Sequence, residues 1–422
     1  MIGTILVAPA AKRFSPDARS EDGWIYDIVS GVTTVDPGLR LVCLAEQTDG
    51  AMAERVTPLA VGSRRTEEFG GLALPFRVAR VVRTHVGLGS VDLVHHALPF
   101  ALGRTFSLVA EQARRRGLPV VVGPIQTPLE WTGSDEAGGQ LERSGRGTLH
   151  RALAAGSTMV EPAARAILAP LSGRLLRQAE RVVVVGPPAR ALVEAMGVDP
   201  RRVECIPPPV RAMQVSTVAR REPSGPLRLV TAGYLIERKG LADLVEAVVE
   251  LAAAGSGVVL DVAGDGPEAT RLDALVRRYG ASQVVRFHGW LAHEQLSKLV
   301  ASADVYVSMS RAESWGQAMA EALARGLVAV SAANTGARAM AALGAPVHLV
   351  PIGDRRALGD ELRRLCAADR ASLTDTGASG IRWAQAHVAG PVIAGQWASL
   401  YRDVMDRSRQ GGPANAGKDP AA

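Results

Sequence analysis

Lys239 lies in Thr231-Ala-Gly-Tyr-Leu-Ile-Glu-Arg-Lys-Gly240, after a β-branched run and before Leu241, Leu244, Val245 and Val248 at helical spacing. That order predicts strand, loop and helix, with the ammonium just ahead of the helix N-terminus. Unpaired amides and the helix dipole attract an anion there, and a lysine beside them neutralises phosphate oxygens. Spacing alone equally admits a solvated basic turn. Only four of the 48 basic residues are lysines, Lys12, Lys239, Lys298 and Lys418, so a lysine in a loop is informative in this chain.

A second strand, loop and helix pattern runs Ser308-Met-Ser-Arg-Ala-Glu-Ser-Trp-Gly-Gln-Ala-Met-Ala-Glu-Ala-Leu-Ala-Arg-Gly326. Ser314 with Gln317 forms a capping-box pattern, which starts the helix near Trp315, leaves Glu313 in the loop and puts Glu321 about two turns in. Carboxylates eight residues apart suit two contacts along one extended ligand rather than a pair sharing a proton. By itself Glu321 also reads as a surface glutamate. Between the two patterns, Gly264, Gly266 and Ala269 fit the loose dinucleotide-binding spacing, but Val285-Arg-Phe-His-Gly-Trp290 holds no acidic residue where a ribose ligand is needed. These glycines therefore read as turn residues of a strand-to-helix connection.

The elements that position these loops follow an α/β alternation. A chain of 422 residues with 47% hydrophobic and 4% aromatic content fits two domains of aliphatic parallel sheet rather than one core. Strands are predicted at 4–8, 39–44, 91–95, 119–122 and 181–185, then at 227–232, 258–263, 284–288, 305–308, 328–331 and 347–350, with helices between. Pro207, Pro208, Pro209, Pro223 and Pro226 mark a linker. The expected layout is an N-terminal domain 1–206, a linker 207–226, a second domain 227–385, a helix 386–408 crossing back to the first domain, and a disordered tail 409–422. The Gly- and Ser-rich stretch from Gly123 to Gly147 is either an acceptor-site loop or a plain flexible insertion.

Cys43, Cys205 and Cys366 fit neither a disulfide framework nor a metal spacing, so a reducing, cytoplasmic setting is expected. The first residues read as a strand rather than a signal, and no apolar run is long enough for a span. The net charge of +6 permits an anionic nucleotide, lipid or nucleic acid without choosing among them, though no nucleic-acid motif accompanies it.

With these residues in view, the C-terminal half resembles the retaining glycosyltransferases of family 4, group 1, which have the GT-B fold of two facing Rossmann-like domains with an interdomain cleft. The resemblance rests on five ordered motifs: the loop Gly233 to Gly240, Gly-Asp-Gly-Pro at 264–267, Phe-His-Gly-Trp at 287–290, Ala-Asp-Val at 303–305, and Glu313 to Glu321. It implies transfer of a sugar from a nucleoside diphosphate sugar to an acceptor hydroxyl, with anomeric retention and no metal or other cofactor. It also implies that Lys239 contacts the pyrophosphate, Glu313 the transferred sugar and Glu321 the ribose. Backbone groups of Ser314, Trp315, Gly316 and Gln317 would hold sugar and phosphate, with those of Gly289, Trp290 and Leu291 at the nucleobase. Gly233 opens the phosphate loop, but Tyr234 stands where the family usually has arginine, and Arg238 is the candidate to replace that charge.

The N-terminal half resembles the family less closely, through 91–97, 118–124 and 181–185. The resemblance implies an acceptor-side histidine after the middle strand, His96 or else His95, although a strand-end histidine with only a structural hydrogen bond fits the same residues. Two other readings of the whole chain are a non-catalytic nucleotide-sugar-binding homologue and a sugar-nucleotide epimerase of the same fold. Finally, arginines 77, 80 and 83 within 72–86 suit either peripheral contact with an anionic membrane or a solvated helix face.

Overall fold

The computed structural model describes residues 3–14, 20–48, 56–60, 74–97, 107–127, 170–210 and 225–410. These fall into two compact units, one formed by the residues before 128, those from 170 to 209 and those from 390 on, the other by residues 210–389.

The first unit is a seven-stranded sheet of β1 (Gly3–Phe14), β2 (Leu39–Thr48), β3 (Val56–Ala60), β4 (Leu93–His96), β5 (Val120–Ile125), β6 (Arg181–Val184) and β7 (Val203–Cys205). The order is β3-β2-β1-β4-β5-β6-β7 and every pair is parallel. Side chains alternate between faces as the pleat requires. Ile5, Val7, Leu41, Cys43, Val121 and Val183 enter one core, while Leu6, Val42, Leu44, Val120, Val122 and Val182 enter the other. Helices α1 (Ser20–Val35), α2 (Leu74–Val81), α3 (Leu108–Arg115) and α4 (Pro187–Ala195) cover these faces.

The second unit is a six-stranded parallel sheet of β8 (Leu227–Ala232), β9 (Val258–Ala263), β10 (Val285–Phe287), β11 (Val305–Ser308), β12 (Val328–Ala332) and β13 (Val347–Val350). Its order is β10-β9-β8-β11-β12-β13, so the winding direction reverses between β8 and β11. The helices are α5 (Leu241–Ala253), α6 (Ala269–Arg278), α7 (His293–Ala301), α8 (Gln317–Ala324), α9 (Thr335–Ala342), α10 (Arg355–Ala367) and α11 (Arg370–His387). The last helix, α12 (Gly390–Gln410), packs in the first unit. Its Ile393, Trp397, Tyr401 and Val404 share a core with Ile25, Ile28 and Val32 of α1, and Arg402 grips Asp36 with bonds of 2.7 and 2.8 Å.

Some local expectations differ from what is observed. Helix α8 begins at Gln317, because Gly316 takes a left-handed conformation (φ 96°) as N-cap and supplies no side-chain cap, so the expected capping-box start near Trp315 is not formed. Glu321 is thus one turn into the helix rather than two. Gly123 belongs to β5 and not to the loop that follows it. Strands β3 and β7 are not among the predicted strands, whereas α1 fills the helix expected between the first two, with Ile25, Ile28, Val29 and Val32 at helical spacing on its buried side. The last helix runs from Gly390 to Gln410 rather than over 386–408, so residues 386 and 387 end α11, and Arg409 and Gln410, expected in a disordered tail 409–422, are helical. The 123–147 loop from 128 on, linker residues 211–224 and the rest of that tail lie outside the described residues.

Candidate active site in the second unit

The reversal between β8 and β11 opens a crevice beyond their carboxyl ends, where open α/β sheets bind ligands. A cavity of about 230 Å³ lies there, with Gly233, Tyr234, Lys239, Tyr306, Glu313 and Gln317 in its wall.

Two glycines shape the lysine loop. Gly264, at φ 137°, lies so close to the chain above it that a Cβ would sit 1.8 Å from the Gly233 carbonyl oxygen. This contact lets the loop after β9 support the loop after β8, with Gly233 N–H donating to Ala263 O (3.0 Å) and Leu235 N–H to Asp265 O (2.9 Å). The glycines are therefore packing residues of the phosphate-loop candidate, in keeping with their reading as turn residues. After a 3₁₀ turn at Glu237–Lys239, Gly240 at φ 62° starts α5, and a Cβ on it would meet Met309 O at 2.3 Å. Lysine loop and glutamate loop are thus pressed together.

That contact is stitched by polar groups. Arg311 N–H donates to Arg238 O (2.8 Å), the Arg238 guanidinium donates to Ala312 O, and Lys239 Nζ donates to Glu313 Oε1. Arg238 Nη1 stands 3.9 Å from the same carboxylate oxygen. It is more deeply covered than Lys239 and lies behind the pair, outside the cavity wall, which Tyr234 joins. From below, Asn334 caps α9 through Ala337 N–H (2.9 Å) and donates to Ser310 O (2.8 Å), while Gly336 N–H donates to Glu313 O (2.8 Å). The Glu313 backbone is therefore fixed from the α9 side and its side chain from the lysine side.

Trp315 is buried beneath the start of α8 and lines the cavity with Gly316 and Gln317. Gln317 Nε2 approaches Glu321 Oε1 at 3.4 Å, a weak contact one turn along the helix. Tyr306 connects the two glutamates electrostatically. Its hydroxyl, 3.4 Å from Ala232 O, titrates well above the ordinary phenol value because of burial first and the charges of Glu313 and Glu321 next. Sequence reasoning quoted the Ala-Asp-Val run and stopped one residue short of Tyr306. It also missed Ser308, Ser331 and Asn334, which line the cavity from the ends of β11 and β12. Small polar residues at strand ends after apolar runs were the available signal.

Gly289 O accepts from Gly264 N–H (2.8 Å), which places the end of β10 beside the lysine-loop support. Trp290 there is 60% exposed, with Leu291 half-buried after it. His288 pairs with buried Asp261 (2.7 Å) and Asp304 receives Arg228 N–H (2.9 Å) and Arg370 (3.0 Å), so the polar residues in these two motifs brace strands.

The two histidines lie in the first unit. His95 Nε2 must donate to Gly123 O (2.8 Å), which leaves Nδ1 to accept from the Tyr401 hydroxyl (2.8 Å), and its ring lies 4.8 Å from that of Trp397. Both its nitrogens are engaged. His96 Nδ1 stands 3.3 Å from Ala8 O, while its buried Nε2 has no hydrogen-bond partner among the described residues. Burial lowers both pKa values, to about 3 for His95 and about 4 for His96.

The sequence matches the family of glycosyl transferases group 1 over residues 216–378 and the glycosyl transferase 4-like domain over residues 32–209. It is 32% identical over 139 residues to the lipopolysaccharide core biosynthesis glycosyltransferase LpsE of Rhizobium meliloti, covering 33% of this chain and 39% of that protein. This match and those to relatives from Salmonella typhimurium and Escherichia coli span only 39% to 45% of the relatives' own length. Sucrose-phosphate synthase from Thermosynechococcus elongatus superposes with a TM-score of 0.67 at 19% identity, over 96% of this chain and 100% of that one. Anabaena Alr3699/HepE, solved in complex with UDP, also gives 0.67, at 15% identity over 95% and 100%. At such identities the likeness to the solved structures is one of fold.

Proposed function

The chain belongs to the group 1 glycosyltransferases of GT-B fold, and on that premise we propose that it moves a sugar from a nucleoside diphosphate sugar to an acceptor hydroxyl with retention at the anomeric carbon. The observation that carries this reading is the Lys239–Glu313 ion pair in the wall of the switch-point cavity.

The donor divides that pair. Lys239 turns to the diphosphate, joined by the backbone at the N-terminus of α8, and stabilises the charge that grows on the leaving group. Glu313, released from the ammonium, accepts from hydroxyls of the transferred sugar. Glu321 binds the ribose, and the backbone of residues 289–291 receives the base. Arg238, held against Ala312 O, keeps the two loops together and adds positive potential behind Lys239 in a chain that has Tyr234 in the cavity wall. No step calls for a metal or further cofactor.

His96 is the acceptor-side residue in this reading, since its neutral Nε2 can accept from an incoming hydroxyl, whereas His95 is committed at both nitrogens. The acceptor is a lipid-linked saccharide, a polysaccharide or a small natural product. Cys43, Cys205 and Cys366 are free thiols, in keeping with work in the cytoplasm or at its membrane face. Among the described residues no helix is long and apolar enough to cross a membrane.

The test is turnover of nucleoside diphosphate sugars, beginning with UDP-sugars because of the UDP in the Anabaena structure. Lys239→Ala and Glu313→Ala should each lose about 3 kcal/mol of transition-state stabilisation, on the scale of deleted charge-stabilising groups. Full turnover by both variants excludes the proposal.

A further inference from the structure

On the reading of this cavity as a nucleoside diphosphate sugar site, we propose that Tyr306 is a further donor-binding residue, whose phenolic O–H donates to an oxygen of the diphosphate held by Lys239. Tyr306 lies on β11 in register with Val230 of the parallel strand β8, and the two share one face of the sheet with Ala232. Its hydroxyl reaches past Val230 to Ala232 O at 3.4 Å, so the ring leans toward the carboxyl ends of the strands, where the cavity lies. Lys239 comes to the same place from its loop, with Cε 3.9 Å from the point that a Cβ on Gly233 would occupy. Phenol and ammonium stem thus meet consecutive residues, Ala232 and Gly233, where β8 passes into the lysine loop. Both side chains belong to residues of the cavity wall, together with Glu313, Gly316 and Gln317.

The hydroxyl is suited to a phosphate oxygen. At 3.4 Å its bond to a neutral carbonyl is near the limit of a hydrogen bond, so the proton is available to a better acceptor. A charged phosphate oxygen is that acceptor, since bonds to ionised partners are shorter and about twice as strong. Tyr306 is only 4% exposed, so water competes little for the proton. Burial first, then the charges of Glu313 and Glu321, keep the phenol protonated well past its ordinary range, which makes it a donor at every working pH. A second cation in this place would be drawn to those glutamates, as Lys239 is to Glu313. A neutral O–H adds a bond to the donor without adding a charge for the carboxylates to hold. The contact supplements Lys239 in a chain whose lysine loop has Tyr234, not arginine, after Gly233.

The experiment is calorimetry of the parent chain, Tyr306→Phe and Lys239→Ala with UDP, GDP and dTDP, and with the nucleoside of whichever diphosphate binds the parent most tightly. Tyr306→Phe removes one oxygen and keeps the ring in its core. It should bind that nucleoside diphosphate roughly tenfold more weakly at unchanged Tm, and the nucleoside as well as the parent does. Equal affinity of Tyr306→Phe and the parent for the diphosphate overturns the proposal. So does an equal loss with nucleoside and diphosphate, which places the hydroxyl elsewhere on the donor. Should Tyr306→Phe lose stability, a tyrosine fluorinated ortho to its hydroxyl, incorporated at position 306, carries the test. Its more acidic O–H is a stronger donor and should tighten binding of the diphosphate, and unchanged or weaker binding is then the contradicting result. Weaker binding by Lys239→Ala alone, with Tyr306→Phe equal to the parent, removes the role of Tyr306 and leaves the proposed function standing. A parent chain that binds none of the three diphosphates removes both.

Discussion

Lys239 and Glu313, 74 residues apart in sequence, are joined Nζ to Oε1 in the wall of the second unit's cavity. Each comes from a loop after one of the two strands that flank the switch point. The pair holds the two side chains together and leaves the ammonium partly neutralised, so under the proposed function an anionic donor has to compete for it. Because both groups are partly exposed, the attraction between them is modest enough for a diphosphate to displace.

This competition makes the effect of one isosteric change predictable. Glu313→Gln keeps the shape and removes the counter-charge, so a free nucleoside diphosphate should bind tighter by about tenfold, or about 1.4 kcal/mol. Transfer should nevertheless slow, since the amide no longer provides the sugar with a charged acceptor. Calorimetry with the nucleoside diphosphate and turnover with the sugar nucleotide separate the two effects. Unchanged or weaker diphosphate binding would show that Lys239 does not answer to Glu313.

Gly264 tests the packing beneath the lysine loop. Its Cβ position coincides with the Gly233 carbonyl, so Gly264→Ala must separate the loops after β8 and β9. Unfolding free energy should fall by about 1–3 kcal/mol, as for other overpacked sites, and donor affinity should fall with it. Gly359→Ala is the control, because no atom lies within 4 Å of its Cβ position and the helical site gains about 0.5–1 kcal/mol from alanine. Denaturant titration of both variants checks the pair, and equal behaviour of the two contradicts the packing argument.

The second unit was more legible in the sequence than the first. Its strands are short β-branched runs, with Gly233 and Gly264 directly closing β8 and β9, and its motifs come in a fixed order along the sheet. The family resemblance carried by those motifs is what assigned Lys239 and Glu313 to one site. The start of α8 was misplaced because Ser314 and Gln317 mimic a capping box, while a left-handed glycine sets the cap. Tyr306 was hidden by its own strand, where an aromatic residue reads as core. In the first unit His95 and His96 are neighbours of equal type at a strand end. Only the tertiary partners, Tyr401 for one and Ala8 for the other, distinguish them.

Those histidines also make acid stability predictable. Their folded pKa values, about 3 and about 4, lie below the ordinary 6.5, so the unfolded chain takes up protons that the folded chain refuses. Stability is therefore fully present above pH 6.5 and is lost as pH falls toward about 4, by about 1.4 kcal/mol per pH unit for each histidine. Denaturant midpoints measured across that window should show the decline, and His95→Gln should reduce its slope by roughly half. A slope unchanged in His95→Gln assigns the loss to other groups.

Binding of nucleoside diphosphate sugars to the parent chain and to Lys239→Ala, measured by calorimetry with UDP-, GDP- and dTDP-sugars, bears most directly on the central claim. The account predicts that at least one donor binds the parent chain and that Lys239→Ala, at unchanged Tm, binds the same donor at least tenfold more weakly. Binding of no donor to the parent chain, or equal affinity for the variant, would contradict it.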